Sequence, residues 1–341
     1  MVLANLRKQA WDHFIPLMVT IELTEDCNFK CVHCYNYDRS KYHEDNVLDL
    51  ELLKKVLPEL KEAGTLLVSF TGGEPLLYPQ ITEAITAAKR VGLEVGIKTN
   101  ASLLNEQRTQ MLADLGVSQV EISLYGLSIE SVKPFTQASF DGQKLSKALG
   151  LLKTVGIEVQ LNIILNKHNF EELDQMLEFC QERSLFHTLT YEITKRYDGT
   201  VDSQNHRLTD DQVQKLLLRK DLNLASQCEK DPSNLNSFQC TCARLNCAIT
   251  ARGIVYPCMG APMASGDLNK KSFLDVWKNS REFSWIRSLK TEDFKDCLEC
   301  GVSNFCNRSS GNIYSNTGNY TGCDESTLKM STMKSKIKPS E

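Results

Sequence analysis

The chain has 341 residues, a formal charge of −4 and 24% charged side chains, with lysine and arginine scattered among the acids. No basic face recommends itself for nucleic acid, and no apolar run reaches the about 20 residues of a membrane span or the core of a secretory signal. The expected setting is cytoplasmic, where the thirteen cysteines imply metal binding or catalysis rather than disulfides.

Residues 1–17 form an N-terminal extension, interrupted by charges at Arg7, Lys8 and Asp12. From Met18 onward, strand-like runs alternate with segments of helical periodicity. The predicted strands cover 18–23, 66–70, 93–98, 119–124, 157–164 and 187–193, with helices such as LELLKKVLPELKEA between them and a kink expected at Pro58. Regular βα alternation predicts parallel strands, and six units make an open or partly closed α/β barrel over 18–208. A flat doubly wound sheet is the competing architecture.

Just after the first strand, CNFKCVHC places Cys27, Cys31 and Cys34 at C-x-x-x-C-x-x-C spacing, with His33 inside the motif and Tyr35 after it. Thiols at the carboxyl end of a strand occupy the place where such folds put their chemistry. Three ligands can hold three corners of an iron–sulfur cubane and leave the fourth iron bare, whereas an electron-carrying cluster normally has four. A zinc site of Cys27, Cys31, His33 and Cys34 is the alternative, although adjacent His33 and Cys34 cannot easily share one tetrahedral centre. The second strand ends in Gly72-Gly73-Glu74-Pro75, the third in Thr99-Asn100-Ala101, and Ser123 and Asn162 lie near the ends of the fourth and fifth.

Residues 209–239 read as a linker with a short helix opened by Thr209. Nine of the thirteen cysteines fall between Cys228 and Cys323. A segment of that kind is expected to build little apolar core and to depend on cross-links, most plausibly metal clusters over 240–325. The Lys-rich stretch 326–341 reads as a disordered, solvated tail. Cys180, at a helical apolar position, reads as a buried small hydrophobe, and Cys228 as a free loop thiol.

The thiol loop resembles the CxxxCxφC hallmark of the radical S-adenosylmethionine enzymes. The resemblance implies a partial TIM-like (β/α)6 barrel and a 4Fe-4S cluster on Cys27, Cys31 and Cys34. Its open iron binds S-adenosyl-L-methionine, which yields a hydrogen-abstracting 5′-deoxyadenosyl radical; the cofactor supplies the chemistry and the protein aims it. It also implies cofactor contacts from His33, Tyr35, Gly72, Gly73, Glu74, Thr99, Asn100, Ser123 and Asn162. The glycines would admit the methionine moiety, and Glu74 would accept from its ammonium group. Ala101 replaces the family's usual glycine.

Cys240, Cys242, Cys247, Gly253 to Cys258, CLECGVSNFC ending at Cys306, and Cys323 look like the SPASM extension, which holds two auxiliary 4Fe-4S clusters. That likeness assigns Cys297, Cys300, Cys306 and Cys323 to the second cluster. The first would draw on Cys240, Cys242, Cys247 and Cys258, with Ser310 standing where relatives have another cysteine. A zinc knuckle is the alternative for the C-x-x-C-x5-C portion.

The resemblance implies three clusters in all, a reductant such as flavodoxin or ferredoxin, and a ribosomally made precursor peptide as substrate, to be cross-linked, oxidised or epimerised. Only seventeen residues precede the first strand, so a separate leader-binding protein is expected. The alternatives are a dehydrogenase or epimerase of a small molecule such as an aminosugar, and a non-catalytic electron carrier. Glu22, Tyr35, Tyr125 and Glu192 are candidates to line the cavity. Met259 follows Cys258 where sulfatase-maturing relatives have Asp.

Overall fold

Each of the six apolar segments becomes a strand of one sheet. The computed structural model describes residues 2–36, 46–139, 141–224, 238 and 240–337. The strands are β1 (Met18–Thr24), β2 (Leu67–Gly72), β3 (Glu94–Thr99), β4 (Gln119–Leu124), β5 (Glu158–Ile164) and β6 (Phe186–Thr190). Neighbours pair in parallel and in sequential order. A doubly wound sheet reverses its strand order at a switch point, and β1 to β6 show no reversal. This is barrel winding, left open because β6 ends the sheet instead of pairing with β1.

Period-2 alternation sorts the strand residues. Val68, Phe70, Val95, Ile97, Val120, Ile122, Leu161 and Ile163 are buried in the apolar core, which also takes the apolar stripes of the crossover helices. In the helix Leu50–Glu62, Asp49 caps the start by accepting from the Leu52 amide at 2.7 Å. Leu50, Leu53, Val56, Leu57 and Leu60 are buried, and the helix runs on through Pro58. Farther along, Thr209 caps Asp210–Leu217 in a capping box with Gln212, as its sequence predicts.

The cysteine-rich part continues the same sheet. β7 (Asn246–Ile249) lies parallel to β1, with Met18 opposite Asn246 and Ile21 opposite Ile249. β8 (Ile254–Tyr256) and β9 (Gly266–Asp267) follow antiparallel. Two expectations fail here. The C-terminal part does build an apolar core, in which Phe273, Trp277, Phe283, Ile286 and Phe294 are buried and continuous with the barrel's. Part of the stretch read as a disordered tail is the helix Glu325–Ser335, capped by Asp324, with Ser331 and Lys334 buried. The last strand is also shorter than expected, ending at Thr190. Cys180 is fully buried, and burial pushes its thiol up to about 11. Cys228 lies outside the described residues.

Candidate active site at the barrel mouth

The thiol loop is the continuation of β1 and is held on three sides. Its backbone amides at Lys30 and Val32 donate to the carbonyls of Thr136 and Phe135 at 3.1 and 2.9 Å. The His33 ring stacks on Phe135 with centroids 4.1 Å apart. From the opposite side Arg196, only 9% exposed, donates to the carbonyls of Cys34 at 2.8 Å and Val32 at 2.7 Å. Asp202 grips the same guanidinium with both oxygens at 2.9 Å. The hydrogen bond from Arg196 pulls the Asp202 carboxyl down to about 2. A depressed carboxyl adds stability above its free value and loses it as pH falls toward the folded one. The clamp is therefore expected to weaken between about pH 4 and 2, and Asp202→Asn to flatten that limb of an acid unfolding curve.

The Gly72-Gly73-Glu74 turn forms the third support. Gly73 and Glu74 donate their amides to the carbonyls of Thr24 and Asp26, each at 2.7 Å. A Cβ on Gly73 would lie 2.0 Å from the Asp26 carbonyl oxygen, and one on Gly72, at φ +144°, 2.2 Å from that of Thr24. These glycines thus admit the thiol loop's own backbone, a use the sequence did not reveal. Glu74 also differs from expectation, being 0% exposed and turned away from the cavity. Its oxygens accept from Thr99 Oγ1 at 2.7 Å, the Asn100 amide at 2.9 Å and the Leu76 amide at 3.1 Å, tying β2 to β3. Burial pushes its carboxyl up despite those bonds. Glu74→Gln would turn an NH2 toward committed donors. We expect it to cost about 2 kcal/mol, read as a fall in the urea midpoint.

Asn100 closes a polar ring onto the loop: its Nδ2 donates to Asn28 Oδ1 at 2.9 Å, Asn28 to Ser102 Oγ at 2.7 Å, and Ser102 back to Asn100 at 2.6 Å. Ala101 between them has φ +62°, the left-handed conformation that glycine adopts without strain. Ala101→Gly is expected to stabilise the chain by about 1 kcal/mol, measurable by chemical denaturation.

One cavity of about 440 Å³ unites most of the predicted residues. Cys27, Cys31, His33, Cys34 and Tyr35 line one side, with Gly72, Gly73, Thr99 and Asn100 beside them and Ser123, Tyr125 and Asn162 across from them. Cys247 and Cys258 border the same space. Asn162 Oδ1 accepts from Thr188 at 3.0 Å and Thr190 at 3.1 Å. The Tyr125 phenol is pushed well up by burial and by the charge of Cys31, Cys34 and Cys27. Glu22 is buried behind Tyr35, whose hydroxyl donates to it at 3.0 Å. Glu192 lies in another cavity, where Asn312 donates to it. Sequence reasoning missed Arg196 and Tyr197, which lie in a connection that reads as merely polar. The Tyr197 hydroxyl donates to the Met259 carbonyl and its amide to that of Tyr35 at 2.9 Å, joining the thiol loop to the C-terminal part.

The other thiols form two groups. Cys242 and Cys258 sulfurs are 2.8 Å apart, and Cys240 lies 3.2 Å from the Tyr320 hydroxyl. Hydrogen bonds from Cys242, Tyr320 and Ser310 draw the Cys240 thiol below its ordinary value. Ser310 is fully buried and accepts from Arg308 at 2.8 Å. Around Cys323, burial first and then the charge of Cys306, Asp324, Cys297 and Cys300 push its thiol up to about 11. All-thiol sets of this kind suit iron–sulfur clusters. Among the described residues, no group of three or more His, Cys, Asp or Glu side chains is gathered closely enough to hold a metal ion.

An open parallel barrel with cysteines at its mouth and more behind offers the thiols that an iron–sulfur enzyme would need. The chain belongs to the radical SAM superfamily, whose family model matches residues 21–180, and it carries a SPASM iron–sulfur cluster-binding domain, matched at 240–301. It is an enzyme that uses S-adenosylmethionine and carries iron–sulfur clusters. An AdoMet-dependent heme synthase of Methanosarcina barkeri is 23% identical over 89% of this chain and 94% of its own length. A PqqA peptide cyclase of Bradyrhizobium diazoefficiens is 31% identical, over 52% of this chain and 46% of the cyclase. Streptococcus suis SuiB bound to S-adenosylmethionine superposes with a TM-score of 0.67 at 22% identity, covering 96% of this chain and 81% of SuiB. With the precursor peptide SuiA bound, the TM-score is 0.66 at 21% identity, over 96% and 80%. Among the described residues, no helix is long and apolar enough to cross a membrane.

Proposed function

We propose that this enzyme modifies a ribosomally synthesised peptide. The carrying observation is the single cavity bordered by the N-terminal thiols on one side and by Cys247 and Cys258 on the other. A cluster and a nucleotide bound there would take up much of that space, so a larger substrate would send in one side chain and keep the rest outside. The SuiB complex with its precursor peptide has the same fold.

Bound at the thiol loop, S-adenosylmethionine supplies a hydrogen-abstracting radical once one electron has been delivered. The chain's own residues hold and orient. Cys27, Cys31 and Cys34 would ligate three irons, while Arg196, Phe135 and Gly73 fix the loop that bears them. Gly72, Asn100, Ser123 and Asn162 face the cofactor space, and His33 and Tyr35 wall it. Glu74 acts behind them as a positioning residue. Cys240, Cys242, Cys247 and Cys258 would hold a first auxiliary cluster, and Cys297, Cys300, Cys306 and Cys323 a second. A flavodoxin or ferredoxin would supply the electron, and a separate leader-binding protein would present the peptide.

The decisive assay is anaerobic, with iron, sulfide, dithionite and S-adenosylmethionine. It reads 5′-deoxyadenosine together with the mass of a precursor peptide encoded beside the gene. A mass change coupled to cleavage is expected, at about twelve irons per chain. The second reading is a small-molecule substrate, favoured by the heme synthase relative that matches along nearly its whole length. Cleavage coupled to a tetrapyrrole, with every peptide unchanged, would select it.

A further inference from the structure

Below the thiol loop the barrel interior is polar on strand after strand. Thr20, Thr71, Lys98, Glu121, Asn162 and Asn246 all line the cavity. Closed α/β barrels fill the corresponding space with layers of branched apolar side chains, so this layer is not there for packing. Its centre is an ion pair. Lys98 and Glu121 are register partners on β3 and β4, with Nζ and Oε2 2.6 Å apart and side chains 33% and 22% exposed. A partly solvated pair contributes at most about 1 kcal/mol, which gives stability little reason to keep it. Among the described residues, no further hydrogen-bond partner meets Glu121 Oε1 or the remaining Lys98 protons.

We propose that Lys98 and Glu121 recognise a primary carboxamide of the substrate, the side chain of an asparagine or glutamine, whose C=O and syn N–H lie on one edge. The lysine donates to its C=O and the glutamate accepts from its N–H. The pair carries no net charge and presents a donor beside an acceptor. A carboxylate would face Glu121 and a lone ammonium would face Lys98, whereas a primary carboxamide satisfies both. The two residues lie two positions below Asn100 and Ser123, a rise of about 6.6 Å, so a group held here leaves the strand ends to the cofactor. This inference rests on the peptide reading and names what the peptide presents.

The test uses oxidised, iron-reconstituted full-length chain with S-adenosylmethionine bound, and ligand-observed saturation-transfer NMR with two probes, N-acetylalanine amide and glutarate. The native chain is expected to bind the diamide at least roughly tenfold tighter than glutarate. Glu121→Met, which leaves the lysine alone, is expected to reverse that preference. The double variant Lys98→Met with Glu121→Met leaves no lone charge to unfold the chain and is expected to lose both probes. Native preference for glutarate, no transfer to the diamide, or unchanged preference in Glu121→Met would overturn the proposal. So would a tenfold loss of S-adenosylmethionine affinity in the double variant, which would assign the pair to the cofactor. Probe binding needs no turnover, so failure here and failure of the peptide mass-shift assay are separate results.

Discussion

Gly73→Ala is expected to abolish S-adenosylmethionine cleavage and to lower iron by about four atoms per chain. The added methyl meets only backbone: the Asp26 oxygen at 2.0 Å, its carbonyl carbon at 2.4 Å and the Glu25 oxygen at 2.5 Å. No flexible side chain can swing aside. Either the turn or the thiol loop must retreat, breaking the hydrogen bonds that the Gly73 and Glu74 amides donate and that set the loop's height above the barrel. Overpacking of this kind costs typically about 1–3 kcal/mol, less than a domain's whole stability, so the variant should fold while its N-terminal cluster fails to assemble. Iron analysis and electron paramagnetic resonance of the reduced protein check this. Native iron content with full cleavage would show that the loop yields freely.

Arg196→Met is expected to have the second largest effect. It removes the donor to both the Val32 and Cys34 carbonyls and strips Asp202 of its partner. Asp202 keeps more than half of its side-chain surface exposed and can take up water, so the penalty comes from the carbonyls, roughly 3–6 kcal/mol for two lost charged bonds. We expect a lower urea midpoint, slower cluster reconstitution and an oxygen-sensitive N-terminal cluster, with the auxiliary clusters retained. Arg196→Lys should recover little, since an ammonium cannot match the planar fork that reaches two carbonyls and a carboxylate at once.

The six strands and the three-thiol loop were legible because they rest on local rules, alternation and spacing, that need no partner from afar. Thr209 and its capping box were legible for the same reason. Long-range contacts were not. Nothing in GGEP says that Gly73 presses on Asp26, or that Glu74 turns inward to Thr99. Arg196 reads as one charge in a polar connection until the fold brings it to Cys34. The C-terminal core escaped because Phe273, Trp277, Phe283 and Phe294 are spread through short elements with no long periodic run, and their burial depends on packing between elements. The helix Glu325–Ser335 escaped because its composition is polar and its apolar residues follow no stripe. Tertiary contacts at Ser331 and Lys334, with the Asp324 cap, accompany what pattern does not predict.

The pairing of β1 with β7 ties the earliest strand to one made more than two hundred residues later. During synthesis, β1 has β2 along one edge while its other edge stays bare until Asn246 to Ile249 emerge. An unsheltered edge invites pairing with other nascent chains. Production of this protein should therefore depend on chaperones and low temperature. A version cut before β7 should aggregate rather than behave as a smaller barrel, whatever metal it is offered.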